Sequence, residues 1–335
     1  MDLSIIICCY RGQETIEDCL TSLCNQSYDS KRYELIIVDD DSIDNSGSII
    51  NSFIKNRVEN YPKIKYFKKE NKGLSVARNF GIDKANANLV SFIDEDAKAD
   101  KNFVLNIIKT FKLNPKTNCI GGRVELWNND NYFAKIYHYG FFNSMMDNNA
   151  IIGTNMSFRK RFIENIGGFV PQFSKRGDET ALFIKAGNSL SKLISNNIIV
   201  YHTQPNNQKN FFSVRKQNGS VGYEVNRLSL SYGHSRLIMY IKSLYHLSFV
   251  VLPIIIFILY LYSQILFQIF LGIYTLIFVV RFFVLKHLIK PLRFLHRSDL
   301  KKSIKDYFFL SWIIVYGDFQ QDIGYVKMLM FNKHR

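Results

Sequence analysis

Two clusters of carboxylates stand immediately after apolar runs: Asp39-Asp40-Asp41 after Leu35–Val38, and Asp94-Glu95-Asp96 after Val90–Ile93. Acids so placed cap helices and close turns, and for the first cluster alone that plain role suffices. Three adjacent acids at the end of an apolar strand repel one another, so the second cluster asks for a cation. Hard divalent ions such as Mg2+ take carboxylate oxygens together with substrate phosphates, which implies a diphosphate-bearing ligand. Between the clusters, Gly73 allows a tight turn into a helix whose N-terminus attracts anions. Arg78, one turn into that helix, is placed to pair with an Asp or a phosphate. A further pair, Asp178-Glu179, follows Gly177 at an expected helix start, where acids either complement the dipole or do catalysis. The chain has neither GxxxxGK[ST] nor GxGxxG, so ATPase and dehydrogenase readings fall away.

The elements that must hold these groups alternate. Short strands are expected at Leu3–Cys9, Glu34–Val38, Ile64–Phe67 and Leu89–Ile93. Helical spacing separates them around Ile16–Leu23, Ile49–Ile54 and Leu74–Ala85. Such a β-α-β-α succession builds a mostly parallel sheet with helices on both faces, and ligands bind at its carboxyl edge. Both acidic clusters fall on that edge. Further on, Ala150–Phe158 and Asn197–Tyr201 are expected as strands, and Thr180–Ala186 and Phe211–Tyr223 as helices.

The 335 residues carry 43 Lys and Arg against 28 Asp and Glu, and 47% are hydrophobic, which excludes a disordered or collagenous chain. Five cysteines, with Cys8 and Cys9 adjacent, fit no disulfide framework or zinc site and suit reduced thiols in a cytosolic domain. Met1-Asp2-Leu3-Ser4 has no basic n-region and enters a strand, not a signal peptide. From Leu247 to Val280 no residue is charged, while Arg227, Arg236 and Lys242 precede the run and Lys286, Lys290, Arg293, Arg297, Lys301 and Lys302 follow it. One span needs ~20 apolar residues, so a helical hairpin turning near Tyr262-Ser263-Gln264 is expected, transmembrane or re-entrant, with both ends cytoplasmic. A buried core hairpin is the plainer alternative. A basic surface beside an apolar stretch suggests an anionic membrane, and no nucleic acid partner. Asp306–Met330 reads as an interfacial helix with Asp318 and Asp322 on another face.

Taken in order, these pieces resemble the family 2 glycosyltransferases. Ser4–Arg11 looks like their opening strand and sugar-nucleotide loop, and Val38–Asp44 is similar to V-D-D-G-S-x-D, with Asp41 in place of Gly. Asn71–Gly81 matches N-x-G-x-x-x-A-R-N-x-G at every fixed position. Asp94-Glu95-Asp96 stands at the D-x-D motif. Gly167-Gly168-Phe169 followed by Gly177-Asp178-Glu179-Thr180 resembles G-G-F and then E-D, with the acids in reverse order. The likeness covers roughly residues 3–230.

The resemblance implies a GT-A-like α/β fold over residues 1–235; the uncharged run and its basic flanks put the hairpin over 236–285 and a basic, amphipathic membrane segment over 286–335. The resemblance also implies an inverting, metal-dependent transfer of one sugar from a nucleotide-diphospho sugar. Asp39 or Asp40 would accept from the nucleotide's base or ribose, with Tyr10 beside them. Asp94 and Asp96 would hold the ribose and a Mg2+ or Mn2+ ion, and Glu179, with Asp178 in reserve, would take the proton from the acceptor hydroxyl. A helix N-terminus is expected to keep that base ionised. His202 stands where relatives place a His near the metal, although a lone His after a strand is as often simply packed. Arg215 would reach the diphosphate or join a basic membrane-facing surface. The Q-x-x-R-W of processive synthases is absent, which favours single addition. The expected acceptor is a polyprenyl-linked glycan of a surface polysaccharide, at the cytoplasmic side of the inner membrane. The alternatives are a polyprenyl-phosphate sugar synthase and an inactive membrane-anchored scaffold.

Overall fold

The computed structural model describes residues 1–56, 58–139, 150–232, 236–284 and 304–331. In chain order its elements are β1 (Leu3–Cys9), α1 (Ile16–Cys24), β2 (Tyr33–Asp39), α2 (Ser46–Lys55), β3 (Lys63–Lys68), α3 (Leu74–Lys84), β4 (Leu89–Asp94), β5 (Ala97–Ala99), α4 (Phe103–Leu113) and β6 (Cys119–Leu126). There follow α5 (Tyr132–Tyr137), β7 (Met156–Arg159), α6 (Lys160–Asn165), α7 (Asp178–Ala186) and β8 (Lys192–His202). The last are α8 (Gln208–Ser231), α9 (Arg236–Tyr262), α10 (Gln264–Val284) and α11 (Ile304–Phe331). Two compact units result. The first ends at Thr203 and leaves out a segment that begins at Asn129; that segment joins Gln204 onward in the second. The second unit thus takes up the chain again at Gln204.

The first unit is a GT-A-like α/β sheet in the order β3-β2-β1-β4-β7-β6-β8-β5. Strands β3, β2, β1 and β4 run parallel, whereas β7 is antiparallel to both β4 and β6, and β5 is antiparallel to β8. The sheet is therefore mixed. Strand β1 explains the unbroken apolar runs: Leu3, Ile5 and Ile7 pack with Leu20, Phe103 and Ile107 on one face. Ile6 and Cys8 pack with Ala77, Ile82 and Leu182 on the other. Helices on both faces leave no solvent side to such strands, so no polar alternation is needed. All five cysteines are buried and unpaired with one another. The strand expected at Ala150–Phe158 is shorter, because a 3-10 turn at Gly153–Asn155 precedes β7.

In the second unit α8 and α11 cross with their backbones touching. A Cβ on Gly219 would stand 1.8 Å from the Gln321 carbonyl oxygen, and one on Gly324 would stand 1.9 Å from that of Lys216. Glycine is required here because any side chain would part the helices. Overpacking costs about 1–3 kcal/mol, so Gly324→Ala is expected to lose at least that much stability in denaturant unfolding. Asp318 pairs with Arg215, and Asp322 accepts from His246 Nδ1 at 2.7 Å, both within this unit. Both acids are buried. Asp318 and Asp322, expected on another face of an interfacial helix, are thus turned into this unit. Arg215 is likewise buried in its ion pair and is not part of a basic surface.

The expected hairpin is present as the helices α9 and α10, joined at Ser263. Among the described residues, however, no helix is long and apolar enough to cross a membrane, so a transmembrane hairpin has no support. The break at Ser263 cuts the uncharged run into two stretches, each short of the ~20 residues a span needs. The flanking Lys286, Lys290, Arg293, Arg297, Lys301 and Lys302 lie outside the described residues.

Candidate active site

The carboxyl edge of the first unit gathers the chemistry because parallel strands end in step. Cys9 pairs with Asp39 and Cys8 with Asp94, so the two acidic clusters flank the end of β1. Strand β8 ends there too, with His202 beside Ala97. His202 Nε2 stands 3.1 Å from Asp96 Oδ1 and 3.9 Å from Asp94 Oδ2. Single ligand atoms from Asp94, Asp96 and His202 lie within 4.8 Å of one another. Two carboxylates and an imidazole form a donor set that suits Mn2+ well, since imidazole is an uncommon partner for Mg2+. The residues are half-buried, so an ion there would keep positions open to a ligand. Thr203 Oγ1 donates to Asp96 Oδ2 at 2.8 Å and fixes that carboxylate.

Neighbouring side chains act on the three-acid run. Burial disfavours the charged imidazole of His202, but Asp96 and Asp94 outweigh it and raise its pKa, with Arg176 opposing. Burial also opposes the charge on Asp96, yet His202 and Thr203 bring its pKa down. Glu95 turns the other way, its Cγ 2.7 Å from where a Cβ on Gly12 would stand. Burial, then Asp96 and Asp94, push Glu95 well up toward the neutral form. Arg78 and His202 thus share in offsetting the carboxylates, beside the divalent ion that the cluster is expected to hold.

Arg78 supplies the other cation. Its side chain is 2% exposed, donates from Nη2 to Asp94 Oδ1 at 2.9 Å and from Nη1 to Asp178, and lies against Phe92 and Phe169. The pairing with an Asp is realised twice, and the phosphate alternative is corrected, since no solvent face of the guanidinium remains. Asp178 is 1% exposed, while Glu179 beside it is half-buried. Burial, then Asp178, push the Glu179 carboxyl up to about 8. The helix N-terminus was expected to keep Glu179 ionised; desolvation and a neighbouring anion win instead.

The first acidic cluster is committed to the local fold. Asp39 accepts from Ser42 N–H and from Tyr66 Oη, each at 2.8 Å. Asp40 accepts from Lys69 Nζ at 2.5 Å and from the Lys72 and Gly73 N–H groups at 3.1 and 2.8 Å. It therefore shapes the turn into α3. Asp41 takes φ 61°, which explains why the family pattern has Gly here. Tyr10, just past β1, is 41% exposed at the edge. Arg215 belongs to the second unit. Two contributors were not read from sequence, Thr203 and Gly153; the only hint of the first was its place beside His202, and of the second its Gly-Thr-Asn turn.

Residues 4–167 match the family described as glycosyl transferase family 2. This segment is a family 2 glycosyltransferase domain. The poly-β-1,6-N-acetyl-D-glucosamine synthase of Staphylococcus epidermidis is 32% identical to it over 134 residues, 40% of this chain and 31% of that protein. Glycosyltransferase GlyA of Streptococcus pneumoniae serotype 4 is 34% identical over 107 residues, 32% of this chain and 14% of that one. The chain thus spans about a third or less of the curated relatives it matches. In fold it is similar to the mannosyltransferase PcManGT of Pyrobaculum calidifontis, in complex with GDP-Man and Mn2+, at TM-score 0.60 and 13% identity, covering 99% of this chain and 88% of the other. It is also similar to S. aureus TarS 1-349 in complex with UDP-GlcNAc, at TM-score 0.51 and 14% identity, covering 95% and 92%. The matched segment carries Asp94, Asp96 and Arg78, while His202 and the Asp178-Glu179 pair, which meet them, lie beyond it in sequence.

Proposed function

We propose that the protein is an inverting, metal-dependent glycosyltransferase that moves one sugar from a nucleotide-diphospho sugar to a hydroxyl of a polyprenyl-linked glycan. The observation that carries this reading is the convergence of Asp94, Asp96 and His202 in one half-buried cluster beside the acid pair of α7. Asp94, Asp96 and His202 would hold Mg2+ or Mn2+, which when bound offsets charge on the diphosphate and on the departing nucleotide. Tyr10 would lie against the nucleotide, with Asp39 and Asp40 building the walls of its pocket. Glu179 takes the proton of the attacking hydroxyl, and Asp178, buried against Arg78, is not in a position to do so. In the relatives' company, a sugar nucleotide of uridine or guanosine is the donor to try first.

A membrane setting is part of this reading, and the exposed side chains of the second unit support it. Phe257, Ile258, Leu261, Ile265, Ile269 and Leu276 of α9 and α10 are all exposed, Ile265 by 75%. So much aliphatic surface suits the headgroup boundary of an anionic bilayer, with the pair lying in the cytoplasmic leaflet of the inner membrane. The acceptor would then meet the enzyme at the lipid surface.

The test is a donor screen on the detergent-solubilised full chain, measuring nucleotide diphosphate release from UDP- and GDP-sugars with Mn2+ present. Release from at least one donor, lost on adding a chelator, is the expected result. No binding of uridine or guanosine diphosphate by calorimetry with Mn2+ would leave the inactive scaffold as the answer.

A further inference from the structure

We propose that Arg78 is a positioning residue that locks the donor-side carboxylate Asp94 and the acid pair of α7 into one unit, taking Asp178 as its counter-ion and leaving Glu179 free to act. This rests on the glycosyltransferase reading and deepens it. Three observations carry the inference. The first is the fork itself: one planar guanidinium reaches Asp94 from Nη2, Asp178 from Nη1 and the Gly153 carbonyl at 3.3 Å. Arg suits this geometry because its donors are fixed in a plane, where the point charge of Lys is not.

The second is the cost of the arrangement. A charge with 2% exposure between two carboxylates is expensive to bury and strongly destabilising to break on one side. Its partners stand 16 and 100 positions away in sequence, on two different motifs. The third is steric. A Cβ on Gly153 would stand 3.2 Å from both Nη atoms and 3.5 Å from Glu179 Oε2. Gly153 therefore lets the guanidinium and the Glu179 carboxyl approach over bare backbone. Glu179 feels both charges, Asp178 disfavouring its ionisation and Arg78 favouring it.

The experiment follows the Glu179 carboxyl by 13C NMR in the full chain labelled on glutamate side chains, its signal assigned by loss in Glu179→Gln. Asp178→Asn removes the neighbouring anion, so the Glu179 titration is expected to shift to lower pH. Arg78→Lys keeps a charge but not the fork, and is expected to shift it upward. Arg78→Met leaves Asp178 without a counter-charge; the double variant Arg78→Met/Asp178→Asn keeps the charge count balanced should the single one not fold. In parallel, Arg78→Lys is expected to lose turnover at every pH, whereas Asp178→Asn is expected to shift the pH profile of whatever turnover it has as the NMR titration shifts. A Glu179 titration unmoved in both Asp178→Asn and Arg78→Lys would overturn the proposal, as would Asp178→Asn abolishing turnover while Glu179→Gln keeps it. A wild type that turns over no nucleotide sugar counts against the glycosyltransferase reading alone, because the NMR titration needs no donor.

Discussion

Glu179→Gln is expected to lower turnover by about 10²–10⁴-fold, the usual contribution of a positioned general base. It is also expected to erase the dependence of rate on pH. Gln keeps the shape and the hydrogen-bonding reach of the side chain but accepts no proton. In the wild type, burial and then Asp178 hold the Glu179 carboxyl at about 8. Only the ionised form can act, so kcat/KM should climb as pH rises through about 8 and level off above. The sign of the stability effect is opposite. A carboxyl whose folded pKa is raised contributes stability that is fully present below its unfolded value and lost as pH rises through about 8. The variant should therefore melt with less sensitivity to pH than the wild type across that window. A pH series of kcat/KM beside thermal melts at pH 6 and pH 9 checks both signs. A Glu179→Gln variant as active as the wild type at every pH would point to a phosphate nucleophile, which needs no base.

Asp96→Ala is expected to abolish nucleotide diphosphate release. The substitution takes one of three converging donor atoms from the Asp94-Asp96-His202 cluster and frees His202 from its nearest anion. A metal's stabilisation of developing charge is worth several kcal/mol, so the loss should exceed about 10²-fold. The variant should keep its fold, since Asp96 is half-buried and its removal relieves the anionic neighbour that burial already sets against Glu95. Chelator should inactivate the wild type to the same level and do nothing further to the variant. Wild-type release that persists undiminished in chelator would remove the metal from the reaction.

The two variants ask different things of one rim. Asp96 lies on the side where the donor's charge gathers, and Glu179 on the side where a proton leaves. Arg78 spans the two, which is why neither side is expected to tolerate change in the other without a shift in its own behaviour.

The residue types were legible in the chain because they depend on local order. Short apolar runs set the strands, and their sudden ending on acids put carboxylates at the sheet's edge. The continuous runs of β1 and β2 also disclosed helices on both faces, since only a doubly covered strand dispenses with polar alternation. The motif spacing from Asn71 to Gly81 likewise fixed a turn before α3. Which partner each charge meets was not legible. His202 reaches Asp96 across 106 positions, by the antiparallel pairing of β5 with β8, and neither β5 nor the register of β8 leaves a local mark. Arg78 could have faced a phosphate or an Asp; the packing of α3 against β1 turned it inward to two.

Charge state and membrane geometry went the same way. A helix start suggested an ionised Glu179, because the dipole is a local property of the chain. Desolvation and the Asp178 charge arise only once α7 is packed, and they outweigh it. The uncharged run from Leu247 to Val280 told of apolar helices and of their turn near Ser263; that no helix among the described residues is long and apolar enough to cross a membrane came only from the folded helices. Asp318 and Asp322, placed by the sequence only on another face of their helix, are buried where Gly219 and Gly324 bring α8 and α11 into backbone contact. Periodicity and composition act over a few residues and are written in order along the chain. Burial, register and electrostatic pairing depend on distances between residues far apart in that order, and folding alone decides them.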